Sequence, residues 1–559
     1  MLNRRCIGDS MALNLFGTDG IRGKVNLKIK SEKTAITKLL DEREFSPPIL
    51  RLIGESLGRT TEDDSNGKQR VVIGWDDRPA NEELAAHLTV GLNLAEFEVI
   101  HIGMCATPLL HYATLHFEAT YGCMITASHN PVEDSGIKIF TEFGYKTTPE
   151  FESELSRNAI SLSQEEREID RIDWVKLELP AERFEAADWC LEHHPAWLSR
   201  RRQELEKLTN TVFSSGSNIA QPLLIDSSRG TGQFWLADWL TQNGMPAVEV
   251  SQSASALNDN CGAGDFSPTE QWTFAEAKAS NHILIRQLTQ TTPGVIVAAA
   301  LDGDGDRCLL IEATATGFSV IDGDKIADTF VNCVTNAGHE WHLAASIESD
   351  LSLTSNLGRF PKPVSVSETA VGDRWLSVKL SEQENHQFKS GKSQPEVIGV
   401  EDSGHVVLAS PHPKLSEKWS LVGDGAMTLI AYLLAFSNHE SSTAMRRGWK
   451  LRQSVKHVER SKWDGNNQLS DMVEDTLRTN LLHHAEVTKW KRQTVAGEKN
   501  LMLISCLFNG AKLSIGIRNS GTQAKISVSA RLEHGGRNDG IEQVMDLVCN
   551  MLAKHMTNH

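Results

Sequence analysis

Three aspartates alternate with glycine in Leu301-Asp302-Gly303-Asp304-Gly305-Asp306-Arg307. This spacing lets three carboxylates converge on one cation, and the glycines let the backbone curl to bring them together. Hard oxygen ligands suit Mg²⁺. An EF-hand loop starting at Asp302 would need glycine at its sixth position and glutamate at its twelfth. Arg307 and Ala313 stand there instead, which excludes that reading. A solvated acidic turn is the plainer alternative, but carboxylates this close repel one another without a counterion. A third reading is a phosphatase with Asp302 as nucleophile and Asp304 as acid. It is weakened because Gly305-Asp306 follow where such a site wants Thr or Val.

Ser128 ends the apolar run of Ile125-Thr126-Ala127-Ser128-His129-Asn130-Pro131. It can be a hydrolase nucleophile, a phosphate carrier or the start of a turn. In an extended segment Ser128 and His129 point apart, so His129 is badly placed as its base. The GxSxG elbow is also missing. Lys138, between Ile137 and Ile139, points opposite the two isoleucines if its segment is a strand, which by itself suggests a solvated lysine. Glu401, Ser403 and His405 alternate in GVEDSGHVVL (399–408). If extended, they face one way and offer donors and acceptors to several hydroxyls, as a sugar requires; a plain loop fits equally. Arg518, Ser520, Gly521 and Thr522 in RNSGTQAK (518–525) combine a guanidinium fork, hydroxyls and exposed N–H groups. They suit a phosphate, or an ordinary turn between strands. The Gly-rich loop GTDGIRG (17–23) carries Arg22 for another anion, but with no GK[ST] it is not a P-loop.

These loops need strands and helices to aim them. In RVVIGWDDRPANEELAAHLTVGLNLAEFEVIHIG (70–103), Arg70–Ile73 read as a buried strand, Asn81 as a helix cap and Val99–Ile102 as the next strand. Segments 221–250 and 293–307 repeat the plan. Strands alternating with helices predict parallel α/β domains, with ligands at the carboxyl ends of the strands. Toward the C-terminus, Asn509-Gly510 between two apolar runs reads as a hairpin, followed by a strand at 526–533. That predicts a smaller α+β domain with an antiparallel sheet. Polar stretches near 154–210, 380–396 and 439–500 read as inter-domain or inserted segments, the first partly helical.

The 559 residues suggest three or four domains. Acidic residues number 73 against 56 basic, a formal net charge of -17. This argues against a nucleic-acid or membrane-surface binder but not against an anionic substrate with a local positive site. Nine scattered cysteines without a CxxC pair argue against a disulfide scaffold or structural zinc. With no apolar stretch long enough to span a membrane and no secretory signal, a cytoplasmic protein is expected.

In this order, LFGTDGIRG, TASHNPVEDSGIKIF, DGDGDR, VGDR (371–374), EDSGH and RNSGT resemble the α-D-phosphohexomutase superfamily, from one end of the chain to the other. The resemblance implies three α/β domains and a smaller C-terminal α+β phosphate-binding domain around a central cleft. The boundaries expected are 1–170 for the phosphoserine-loop domain, 171–315 for the metal-binding domain, 316–445 for the sugar-specificity domain and 446–559 for the phosphate-binding domain. By resemblance Ser128 is a phosphoserine that gives its phosphoryl group to the substrate through a sugar bisphosphate. Asp302, Asp304, Asp306 and Ser128 would hold Mg²⁺. Lys138 matches the general acid/base, and Arg22, His129 and Arg307 match the lining of the phosphoryl site. Glu401 and Ser403, with His405 beside them, match the sugar-hydroxyl loop. Arg518, Ser520, Gly521 and Thr522 match the site of the phosphate that is not reacting. The style of FGTDGIRGKVN, NDNCGAG (258–264) and VIDGDKI (320–326) is similar to the phosphoglucosamine mutases, which interconvert glucosamine 6-phosphate and glucosamine 1-phosphate. Asp402, where that subfamily usually has glutamine, and Gln523 with Lys525 in the phosphate loop depart from it. The expected partner is a small sugar phosphate, and the chain a monomer or homodimer. The alternatives are the same chemistry on mannose or glucose phosphates, and a Mg²⁺-dependent sugar phosphatase.

Overall fold

The computed structural model describes residues 14–17, 19–61, 69–165, 176–214, 216, 218–389, 394–437, 445–519 and 524–557. The chain divides into two compact units. The first comprises 1–204, 213–320 and 409–429, and the second 205–212, 321–408 and 430–559.

The first unit contains a seven-stranded sheet. Arg70–Trp75 runs parallel to both Glu98–Met104 and Tyr121–Ile125. Asp134–Thr141 then returns antiparallel to Tyr121–Ile125, and Ile21–Val25 pairs antiparallel with it in turn. The sheet is therefore mixed, not parallel throughout. A short connection after Ile125 allows only an antiparallel return, because a parallel one needs a crossover. Both faces are covered. Val71, Ile73, Cys123 and Ile125 pack into one cluster, whereas Val72 and Met124 pack into another. That is the period-two alternation of strands buried on both sides. Asn81 does not cap a helix: it is the first residue of Asn81–Leu94, and its side chain turns inward.

A second sheet in this unit centres on Ile219–Asp226 and Ile296–Leu301, which run parallel. Cys308–Ala313 pairs antiparallel with the latter strand. In the second unit, Trp341–Ser346 lies parallel to Val364–Thr369 and Val397–Val400, with Val406, Val407 and Leu408 antiparallel beside Val397–Val400. A separate five-stranded sheet there is antiparallel throughout the pairs Trp449–Lys456/Lys525–Leu532, Ala511–Asn519/Lys525–Leu532 and Leu501–Phe508/Ala511–Asn519. Its hairpin turns at Asn509 and Gly510, both with positive φ (50° and 85°), as the sequence predicts. The polar stretch 439–500 is not an insertion. It supplies the edge strands Trp449–Lys456 and Val487–Gln493 and the helix Gln468–His484, whose Val473, Leu477 and Leu481 fill this core. Half-exposed edge strands read as polar because only one face is buried.

Among the described residues no helix is long and apolar enough to cross a membrane. The described cysteines are free thiols. Burial pushes His101 down to about 4 and, with Arg201 nearby, His111 down to about 3. An unfolded histidine titrates near 6.5. Below that pH the unfolded chain takes up protons that the folded chain refuses. The stability that His101 and His111 supply is thus expected to be complete above about pH 6.5 and to fall as pH drops toward about 4. The difference in urea midpoint between the parent and a variant with both histidines replaced by glutamine checks this; a difference that does not change between about pH 7 and 5 would contradict it.

Candidate functional site

Ser128 lies in the loop between Tyr121–Ile125 and Asp134–Thr141, and the aspartate loop follows Ile296–Leu301. Both loops leave the carboxyl ends of strands. Ser128 is 1% exposed and takes a left-handed conformation, φ 56°, that residues with a Cβ rarely adopt. Its N–H donates to Thr126 Oγ1 at 2.8 Å, and Thr126 Oγ1 donates onward to Asp76 Oδ2 at 2.7 Å. Arg78 closes the clamp from outside. Its Nη2 donates to the carbonyls of Ser128 and Asn130 at 2.8 and 2.9 Å, and its Nη1 to those of Asp134 at 2.7 Å and of Pro131. Arg78 Nε also binds Asp76 Oδ2 at 3.1 Å. Burial pushes the Asp76 carboxyl up to about 6 against the pull of Arg78 and Thr126. From the second sheet's side, Asn258 Nδ2 reaches the carbonyls of Ser128 and Asn130 at 2.8 and 2.9 Å.

Ser128 Oγ donates to Asp302 Oδ2 at 2.8 Å. Asp302, Asp304 and Asp306 are all buried, and one oxygen of each lies within 4.8 Å of the others. Gly305, at φ 71°, makes the turn that brings them round. Burial, then Asp306 and Asp304, push Asp302 up to about 7. Burial also raises Asp304, but Lys138 and the Thr107 hydroxyl (2.5 Å) outweigh it and leave Asp304 below its ordinary range. The expectation of a solvated lysine fails: Lys138 is 1% exposed. Its Nζ donates to Asp304 Oδ2 at 2.6 Å and Asp306 Oδ2 at 2.7 Å, and lies 3.4 Å from Asp19 Oδ2. Burial opposes its charge, yet the carboxylates hold its ammonium well above the ordinary range. Alternation does point it away from Ile137 and Ile139, but toward a buried face.

Arg22 donates to Asp19 Oδ2 at 2.8 Å and to the Ala127 carbonyl at 3.3 Å, so it flanks the same loop. Arg307 donates its backbone N–H to Asp302 Oδ1 at 3.2 Å. Arg307 and burial together push His129 down to about 3, and Arg22 adds to the effect, so its imidazole is neutral at neutral pH. The residues fit a small hard dication. Three carboxylates converge, and Asp304 Oδ1 is buried with no hydrogen-bond partner among the described residues.

In the second unit Glu401, Ser403 and His405 are not extended. Gly404 (φ 87°) makes a tight turn, in which its N–H bonds the Glu401 carbonyl at 3.1 Å and Glu401 N–H bonds the His405 carbonyl at 2.9 Å. Strand alternation therefore does not govern them. Glu401 Oε1 accepts the Gly372 N–H at 2.7 Å, and His405 Nε2 lies 3.2 Å from Asp373 Oδ2. Asp402 is held by Lys450 at 2.7 Å. Arg518 Nη1 and Nη2 donate to Glu498 and Glu348 at 2.9 and 3.0 Å. Ser520, Gly521, Thr522 and Gln523 lie outside the described residues.

Sequence reasoning missed Asp19, Asp76, Arg78, Thr107, Thr126 and Asn258. For Asp76 and Arg78 a signal existed: WDDRP follows an apolar strand directly, at its carboxyl end.

Residues 13–166 match the phosphoglucomutase/phosphomannomutase family, α/β/α domain I. The phosphoglucosamine mutase of Rhodococcus opacus is 28% identical over 420 residues, covering 74% of this chain and 77% of that protein. A crystal structure of a phosphoglucomutase/phosphomannomutase family protein from Burkholderia thailandensis is similar with a TM-score of 0.59 at 17% identity, covering 97% of this chain and 98% of that one. An Aspergillus fumigatus N-acetylphosphoglucosamine mutase, solved with GlcNAc-6P and magnesium, matches with a TM-score of 0.51 at 15% identity, over 81% of this chain and 93% of that one.

Proposed function

We propose that this chain is a member of the α-D-phosphohexomutase superfamily and, within it, a phosphoglucosamine mutase, interconverting glucosamine 6-phosphate and glucosamine 1-phosphate. The observation that carries this is the buried meeting of Ser128 Oγ with Asp302, beside Asp304 and Asp306 bridged by Lys138. In this reading Ser128 carries a phosphoryl group. A sugar hydroxyl attacks the phosphorus, the P–Oγ bond breaks, and a sugar bisphosphate results. The intermediate then presents its other phosphate, and Ser128 Oγ takes it back. Lys138, kept as an ammonium by its two aspartates, acts as general acid/base: it gives a proton to the leaving Oγ and takes up the one shed by the attacking hydroxyl, so it ends as the ammonium it began as. Asp302, Asp304, Asp306 and a phosphoserine oxygen would hold Mg²⁺, which when bound offsets charge on the group in transfer. Arg22 and Arg307 add positive charge, and His129 lines the pocket as a neutral donor or acceptor.

Glu401, Ser403 and His405 serve the sugar hydroxyls, and Arg518 with Ser520, Gly521 and Thr522 serves the phosphate that is not reacting. Four sheets among the described residues support four domains, which we take as 1–170, 171–315, 316–445 and 446–559. The relatives that match over most of the chain favour glucosamine phosphate over the mannose or glucose compounds. The phosphatase alternative would place phosphoryl label on Asp302 and release phosphate without isomer.

The test is kcat/KM for glucosamine 1-phosphate, mannose 1-phosphate and glucose 1-phosphate on one preparation, with Mg²⁺ and a trace of sugar bisphosphate. A preference for the glucosamine compound of about tenfold or more is expected, on the scale that one well-placed contact supplies. Chelation of divalent ions should abolish turnover. Preference for a neutral sugar would reassign the substrate; phosphate release without isomer would overturn the mutase reading.

A further inference from the structure

Within the second unit a chain of contacts joins two groups far apart in sequence. Arg518 Nη1 donates to Glu498 Oε1 at 2.9 Å. The same oxygen accepts a long 3.4 Å contact from the Val371 N–H. The next residue, Gly372, gives its N–H to Glu401 Oε1 at 2.7 Å. Glu498 therefore stands between the guanidinium and the loop that fixes the Glu401 carboxylate. On the other side of Arg518, Nη2 is held by Glu348 at 3.0 Å, and Glu348 is shared with Arg452 at 2.8 Å.

An arginine side chain has many rotamers, and a fork aimed at a ligand works only if its plane is fixed. Two carboxylates, one on each terminal nitrogen, fix that plane and leave the other N–H donors of Arg518 for an anion. Glu498 is well placed for this, since its side chain is only 11% exposed. Burial raises its carboxyl, and Arg518 pulls it back down. The net effect leaves the carboxyl above the ordinary glutamate range, with Arg518 opposing the shift.

We propose that Glu498 is a positioning residue that sets the span between the phosphate-gripping Arg518 and the hydroxyl-binding Glu401, and so helps decide which hexose phosphates are accepted. The proposal rests on the roles given above to Arg518 and Glu401. It goes beyond them because Glu498 need not touch the sugar: it acts through Arg518 on one side and through Val371-Gly372 on the other.

The experiment compares E498A, E498D and R518A with the parent enzyme in the mutase assay, with thermal unfolding as the check of folding. For E498A, KM is expected to rise about tenfold with kcat changed much less, because ground-state positioning is what is lost. The ratio of kcat/KM between glucosamine 1-phosphate and glucose 1-phosphate should also shift several-fold. E498D keeps the charge but shortens the reach by one methylene, so it should show the same two changes more weakly. It carries the test if E498A does not fold. A folded variant with unchanged KM and unchanged preference overturns the proposal. So does a fall in kcat alone, or a lowered KM, which would mean that Glu498 competes with phosphate. R518A separates the two levels. If its KM rises while the Glu498 variants behave as the parent, only this inference fails. If R518A leaves KM unchanged, the phosphate-site reading fails with it.

Discussion

Ser128→Ala is expected to lower mutase turnover by about 10³-fold or more, since a nucleophile that forms a covalent intermediate has no substitute in the site. The change removes the oxygen that would carry the phosphoryl group and its 2.8 Å bond to Asp302 Oδ2. Stability should suffer little, by about 1 kcal/mol for one hydrogen bond. Turnover with saturating sugar bisphosphate checks the first effect, and intact-mass or label analysis checks that the phosphoryl group is absent. A variant that retained activity within tenfold of the parent would leave the phosphoserine mechanism without support.

Arg78→Met should be damaging in a different way. Arg78 is 4% exposed and bonds the carbonyls of Ser128, Asn130, Pro131 and Asp134 as well as Asp76. Removing it leaves a buried carboxylate without its cation, a change that costs roughly 3–5 kcal/mol. It also releases the loop that aims Ser128, and misplacement on the order of 1 Å costs about 10²-fold in rate. Both the urea midpoint and turnover should therefore fall. Arg78→Lys restores the charge but not the fork, so it should recover stability better than activity. An unchanged urea midpoint in Arg78→Met would show that the clamp contributes nothing.

The spacing of the aspartate loop already marks it as a candidate metal site, because three like charges sit in one turn. Ser128 is equally readable as a turn serine and Lys138 as a solvated lysine; the family resemblance singles them out. Arg78 has only its place after an apolar strand to mark it. An arginine after a strand looks like any surface loop residue, and only the fold shows four carbonyls turned toward it. The same limit applies to Lys138, whose partners lie some 170 positions along the chain, so alternation gave its face but not its burial. For Glu401, Ser403 and His405 alternation itself misled, because one glycine at φ 87° turned a supposed strand into a hairpin bend. The antiparallel C-terminal sheet was legible from Asn509-Gly510, where turn chemistry is local.

The way Lys138 is neutralised bears on which pieces of this chain can be exchanged. Residues 13–166 match a family domain by themselves and contain both Ser128 and Lys138. Asp19, 3.4 Å from that lysine, is in the same segment, but the two carboxylates that the lysine hydrogen-bonds, Asp304 and Asp306, belong to a later stretch, as does Asn258, which grips the serine loop. A chimera that took this segment from one relative and the next from another would bring together a buried cation and counter-charges selected in different contexts. Recombination should therefore be tolerated poorly at any crossover between residues 138 and 302. The inherited module of this enzyme is then larger than the domain that sequence matching delimits.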